Sequence, residues 1–317
     1  MDAQQLIGLT IFPLSLTGII CNLTIFFATY RIRSLSPSFA FLTGSLALVD
    51  AILSFMFFAY VAFMIVFDIQ FLKDYSYQCG FILMIFYDIE MELHLVITMN
   101  RFFAIFTPIL YRKMFELPYT KVYATVCIIC SIVNLTAYSK IFGCKMYYND
   151  EIWMFYYEES NPMCVTYSWI IDYLKNLGIG IFDVFINIIT ILKVSATRRQ
   201  IQNSSQKSKS VAFRKKELDY LKQACVQGCL SLSALGAYYV VPGFFSNLYV
   251  IFMLTTFLYG SLPIVDGLAV IIYNSEIRAA AFGTKKSINT RKVSVSTSSR
   301  KISQRMSIIT LNNNNML

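Results

Sequence analysis

Histidine is almost missing from this sequence: His94 is the only one in 317 residues. That excludes metal chemistry built on several imidazoles. With no phosphate-cradling glycine loop and no metal cluster, hydrolase and kinase chemistry has no constellation to rest on. The reading is therefore of a protein that is not an enzyme and carries no metal and no cofactor. Charge is scarce as well. Asp, Glu, Lys and Arg together make 14% of the chain, against about 25% in ordinary soluble domains. The opening residues Met1 to Gln5 carry no positive charge, so a cleavable signal peptide is not expected.

Apolar residues fill the space, at 56% of the chain, with 16% aromatic and a mean hydropathy of +0.57. They gather in seven runs: Leu6 to Thr29, Phe39 to Phe67, Cys79 to Phe106, Val122 to Gly143, Tyr167 to Val194, Leu218 to Val241 and Leu248 to Tyr273. A bilayer is crossed by about 20 apolar residues as a helix, or about 9–11 as a barrel strand. Lipid offers the backbone no hydrogen-bond partners, so runs of this length must be helices. The fold class predicted is all-α, a seven-transmembrane helix bundle. No fixed-period repeat and no inverted halves of the transporter kind are present. Pro242-Gly243 reads as the start of a tight turn after the sixth run, and Cys144 to Thr166 as an aromatic, acidic loop.

Basic residues orient the bundle. All but four of the 27 Lys and Arg (Lys73, Lys140, Lys145 and Lys175 are the exceptions) fall in or beside alternate loops and the C-terminal tail. By the positive-inside rule the N-terminus lies outside and the C-terminus in the cytoplasm. The loop rich in Arg198, Arg199, Lys207, Lys209, Arg214, Lys215 and Lys216 then faces anionic lipid, which attracts such segments by about 1 kcal/mol per charge. Residues 1–280 are read as the membrane domain and 281–317 as a disordered, basic, Ser/Thr-rich tail, in which Ser294, Ser303 and Ser307 follow basic residues. The net charge of +9 belongs to these inner segments and does not call for nucleic acid.

The third run is the anomaly. It holds Asp88, Glu90, Glu92 and His94 and ends in Asn100-Arg101-Phe102. Ionisable groups at membrane depth cost roughly 2.5–3.5 kcal/mol each and face a bundle interior or a wet cavity. At 100° per residue, Asp88 and Glu92 share one face, while Glu90, His94 and Arg101 fall on nearly the opposite one, beside Tyr87. Tyr87, Asp88, Glu90 and Glu92 are the candidate ligand cavity; water at the outer mouth would also satisfy Asp88 and Glu90. Glu90 and His94 are spaced to pair as i and i+4. Asn22, Asp50 and Asp266 sit at similar depth in runs one, two and seven and form a candidate interior polar network, with Asp183 a fourth group in run five.

These residues carry a resemblance. Asn22 and Asp50, Asn100-Arg101-Phe102 followed by Pro108 and Tyr111, and Asp266-Gly267 before Asn274-Ser275-Glu276-Ile277-Arg278 resemble the helix-one Asn, helix-two Asp, Asp-Arg-Tyr and Asn-Pro signatures of rhodopsin-like G-protein-coupled receptors. The stretches His94 to Phe115, Ile170 to Asn176, Gln223 with Gln227-Gly228, and Cys144 with Trp153 and Cys164 are similar to nematode serpentine chemoreceptors of class X, over about residues 16 to 280. The sixth run departs from rhodopsin-like receptors in lacking Cys-Trp-x-Pro, and Asn100 removes the acid that would pair Arg101 in its own helix. The resemblance implies a chemosensory receptor for an odorant, pheromone or peptide. It also implies coupling to a heterotrimeric G protein through Asn100, Arg101 and Phe102. The expected location is the plasma membrane, multi-pass, in the sensory cilium of neurons. It leaves Cys79, Cys144 and Cys164 as disulfide candidates, with Cys79–Cys164 fitting receptor geometry and Cys144–Cys164 the family's paired loop cysteines. A proton-coupled transporter or channel using the acidic third run, and a non-signalling membrane protein, are the rival readings.

Overall fold

The computed structural model describes residues 3–32, 35–158, 160–202 and 209–282, with the side chains of 202–216 excepted. Arg33, Glu159, Lys207 and the tail with Ser294, Ser303 and Ser307 lie outside the described residues, as do the side chains of Lys209, Arg214, Lys215 and Lys216.

Among the described residues seven long helices make the bundle: α1 (Ile11–Arg31), α2 (Pro37–Val66), α3 (Ser76–Phe106), α4 (Leu117–Ile141), α5 (Pro162–Ile201), α6 (Lys209–Phe244) and α7 (Leu248–Tyr273). Their starts follow capping chemistry. Ser36 Oγ accepts from Phe39 N ahead of Pro37, Asn161 Oδ1 accepts from Met163 N ahead of Pro162, and Asn247 Oδ1 accepts from Tyr249 N at 3.0 Å. Proline suits the first helical turn because its missing N–H has no partner there in any case. By length and apolarity alone, six helices among the described residues qualify as membrane spans. The exception is α3, whose four charged residues spoil its hydropathy. At 31 residues it is nonetheless about 46 Å long at 1.5 Å per residue, ample for a core of about 30 Å.

The bundle is apolar outside as well as inside. Ile129, Val133, Phe185, Leu192 and Ile272 are all more than half exposed, a surface suited to lipid rather than water. Its core runs through Leu42, Leu46 and Leu53 of α2 and Leu93 of α3, packed against Ile11 and Phe252.

Three features differ from the sequence reading. The loop between α4 and α5 contains an antiparallel hairpin, β1 (Met146–Asn149) paired with β2 (Met154–Tyr157). Helix α6 passes through Pro242 and ends at Phe244, so Pro242-Gly243 does not begin the turn; Phe245 N still reaches Val241 O at 3.1 Å. After α7, Ser275–Phe282 forms α8, capped by Asn274 Oδ1 on the N–H groups of Glu276 and Ile277. Its fully buried Ile277 packs with Ile25 and Ala28 of α1.

Candidate functional site

Four helices widen by a π turn near the hairpin end of the bundle: Phe57–Ala62 in α2, Ala137–Ile141 in α4, Ser168–Leu174 in α5 and Met253–Phe257 in α7. Such turns shift the following side chains round the axis and recur at functional sites. Those of α2, α5 and α7 deliver Phe57, Asp172, Thr255 and Thr256 to the wall of one cavity. Leu83, Met84, Tyr87 and Glu90 of α3 line it too, with Tyr238 of α6 and Tyr259, Leu262 and Pro263 of α7. Met146, Phe155 and Tyr157 of the hairpin complete the lining. The cavity holds about 60 Å³ at the scale of water centres; one water needs roughly 10–15 Å³ on that measure.

The hairpin is held as a lid. A Cys144–Cys164 disulfide brackets it. Tyr238 Oη donates to Phe155 O at 2.8 Å, Thr256 Oγ1 to Trp153 O at 3.1 Å, and Tyr148 N to Ser76 Oγ at 3.0 Å. Gly80 of α3 lies against the Met146 carbonyl, where a methyl group would collide. On the rim, Lys73 donates to Asp150 at 2.8 Å and also to Asp68. Burial works against the Lys73 charge, but the hydrogen bonds it gives to Asp150 and Asp68 outweigh that and hold its pKa above the ordinary lysine value.

Beneath the cavity the two faces of α3 part. Asp88 and Glu92 turn toward α5, where Lys175 bonds Asp88 and lies 3.7 Å from Glu92. Glu90 and His94 turn toward α2 and α7. His94 Nε2 is 2.9 Å from Asp266 Oδ2, Asp50 lies in Coulombic reach of Glu90 and Asp266, and Gln227 Nε2 donates to Asp266 O at 3.3 Å. Asn22 Nδ2 donates to Pro263 O at 2.8 Å. Gly267 permits this approach of α1 to α7, since a Cβ there would sit 2.8 Å from Asn22 Oδ1. Glu90, His94 and Asp266 each offer one ligand atom within 4.8 Å of the others, a spacing that suits a metal ion as well as a protonated imidazole.

A further, more polar cavity continues from His94 past Thr98, Asp183 and Asn187 to Arg101. Asn187 Nδ2 donates to Thr98 Oγ1 at 3.1 Å. The Arg101 guanidinium lies 3.3 Å from the centre of the Phe39 ring and 4.7 Å from that of Tyr220. Its Nε and one Nη are buried without hydrogen-bond partners. Planar, delocalised guanidinium stacks well on aromatic faces. Tyr220 Oη in turn reaches Asn274 Oδ1 at 3.4 Å, joining α6 to the start of α8.

Residues 12–274 match the family model described as serpentine type 7TM GPCR chemoreceptor Srx. The chain belongs to that family. It is 26% identical over 296 residues to serpentine receptor class X 45 of Caenorhabditis elegans, covering 87% of this chain and 80% of the relative. Its fold is similar to squid rhodopsin, with a TM-score of 0.70 at 15% identity over 87% of this chain and 83% of that one. This Srx chain is thus a multi-pass membrane protein of receptor type.

Within the Srx fold the residues singled out in the sequence are distributed as follows. Tyr87 and Glu90 line the cavity, whereas Asp88 and Glu92 do not; they belong to the Lys175 pair on the opposite face. Glu90 is 1% exposed and so is not wetted at an open mouth. Asn22, Asp50 and Asp266 come together, joined by Glu90 and His94. The imidazole is hydrogen-bonded to Asp266, 172 residues away in sequence, rather than to Glu90 within its own helix. Cys79 is a free, buried thiol. Asn100 is buried with its Nδ2 unpartnered, next to Arg101 and Phe102, whose ring stacks on Phe106. Sequence reading assigned no site role to Lys175, Asp172 or Gln227. Asp172 and Lys175 had a visible signal, charged residues inside an apolar run.

Proposed function

We propose that this receptor binds a small molecule in the cavity beneath the hairpin and activates a heterotrimeric G protein at the Arg101 end. One observation carries the reading. A largely apolar cavity adjoins, through Glu90, a buried polar cluster that continues toward Arg101. A ligand that favours one arrangement of α2, α3, α5 and α6 shifts the population of that arrangement at both ends, because these helices line both cavities. The positive-inside pattern supports placing the hairpin and N-terminus outside and Arg101 in the cytoplasmic half. The family's chemoreceptor character supports a plasma-membrane receptor in sensory cilia, with an odorant, pheromone or short peptide as ligand and membrane lipid against the basic loops. A proton-coupled transporter fits less well, because the acids of α3 do not form one line: Asp88 and Glu92 are engaged by Lys175 on a separate face.

The test is a ligand screen in cells expressing a promiscuous G protein, followed by Arg101→Ala on any responding ligand. Loss of the response with retained ligand binding is the expected result. An Arg101→Ala receptor that signals normally, or ligand-driven ion flux in proteoliposomes, would overturn it.

A further inference from the structure

Two carboxylates line the cavity, Asp172 and Glu90, and of these two it is Glu90 that keeps an unpartnered oxygen. Asp172 is saturated: Tyr157 Oη donates to it at 2.6 Å, Tyr239 Oη at 2.8 Å and Asn176 Nδ2 at 2.9 Å. Asp88 and Glu92 share Lys175 on the other face of α3. Glu90 remains. It is 1% exposed, it lines the cavity, and its Oε1 has no hydrogen-bond partner. A buried acceptor left unpaired costs about 1–3 kcal/mol, more when charged, so the site is unfinished without a donor.

Two further observations say what the donor carries. Behind Glu90 lie Asp50 and Asp266, with His94 the imidazole that faces them. Three carboxyl groups against one imidazole favour an incoming positive charge. Above Glu90 stand the rings of Tyr87, Tyr259 and Tyr238, in contact at 5.2 and 5.4 Å between centroids. Tyrosine faces attract ammonium groups by about 0.5–2 kcal/mol. The rest of the wall is Leu, Met and Phe, which suits a hydrocarbon body.

We propose that the ligand of this cavity is a small organic amine, its protonated nitrogen on Glu90 and its apolar part among the tyrosines and the hairpin lid. This rests on the cavity being the receptor's ligand site. Ionised Glu90 then acts as the counter-ion, and Asp88 has no part in recognition.

The experiment uses the purified full-length receptor in nanodiscs and a panel of small primary, secondary and quaternary amines. Each is matched to an uncharged isostere, for example 2-phenylethylamine against 2-phenylethanol. Binding is read by thermal shift and by displacement. The expected result is that at least one amine binds 10-fold or more tighter than its isostere, that Glu90→Gln removes this preference, and that Asp88→Asn keeps it. Equal binding of amines and isosteres, failure of every amine in the panel, or a preference that survives Glu90→Gln would overturn the proposal. If Glu90→Gln does not fold, the isostere comparison on the natural chain decides alone. Uncharged compounds that bind and activate a G protein would sink the amine and leave the receptor reading standing. Amines that bind without G-protein turnover would do the reverse.

Discussion

Asp88 and Glu92 on one side of α3, and Glu90 and His94 on the other, are separated by two residues and a half-turn, yet they meet opposite surroundings. Asp88 and Glu92 face α5 and find Lys175. Glu90 and His94 face α2 and α7 and find Asp50 and Asp266. Lipid makes an unpaired charge expensive on either face. The paired face has a cation of its own in Lys175 and works as a strut between α3 and α5. The acid-rich face is incomplete and borders a cavity, which is where an external molecule gains most by binding.

Breaking the strut is the largest test of this contrast. Lys175→Met is expected to destabilise the receptor by about 3 kcal/mol, the lower end for leaving a buried charge unpaired, measured as a fall in unfolding midpoint in detergent. Adding Asp88→Asn should restore part of the loss. An unchanged midpoint in Lys175→Met would mean the two faces do not differ in this way.

The hairpin covers the cavity that borders the acid-rich face, and Cys144→Ser tests its part in binding. Opening a cross-link with a sequence separation of 20 should cost about 2–3 kcal/mol and weaken any ligand response, whereas Cys79→Ser, at a free thiol, leaves the response in place. Next comes His94→Gln, which keeps a donor for Asp266 but removes the imidazole. A loss of about 1–2 kcal/mol is expected, and an added carboxylate-neutralising change, Asp50→Asn, should offset it. A double-mutant cycle reads the coupling.

The smallest effect lies on the rim. Lys73→Met should cost less than about 1 kcal/mol, since its partners Asp68 and Asp150 are exposed. Its folded pKa is raised, so this stability is full at neutral pH and is lost only as alkaline pH passes through the folded value. A midpoint difference between Lys73→Met and the natural chain that fails to shrink in alkali would contradict the assignment.

Much of this was legible in the chain. Seven apolar runs located the helices, and the 100° step separated Asp88 and Glu92 from Glu90 and His94. Other parts were hidden for identifiable reasons. Strict alternation marks a half-buried strand, but Met146 to Tyr157 is aromatic on both faces, so the hairpin looked like loop. A π turn adds one residue to a helical turn without any composition signal, and this places Asp172 and Thr255 on the cavity. Pro242 stood as a helix end because it loses the bond to the carbonyl four residues earlier, yet α6 runs on for two residues to Phe244. No helix was read after the seventh run, although Ile277 supplies a contact that holds α8 to α1.

By itself the sequence determined that this chain spans a membrane as helices, because lipid leaves the backbone no other way to satisfy its hydrogen bonds. It also determined which residues of α3 could never share a partner, because helical phase is a local property. Only the tertiary structure decided that Lys175, 87 residues beyond Asp88, completes one face, that Cys144 and Cys164 close the lid, and that Glu90 is left among acids beneath a cavity. Those outcomes depend on which helices lie side by side and at what depth, which no single stretch of sequence specifies.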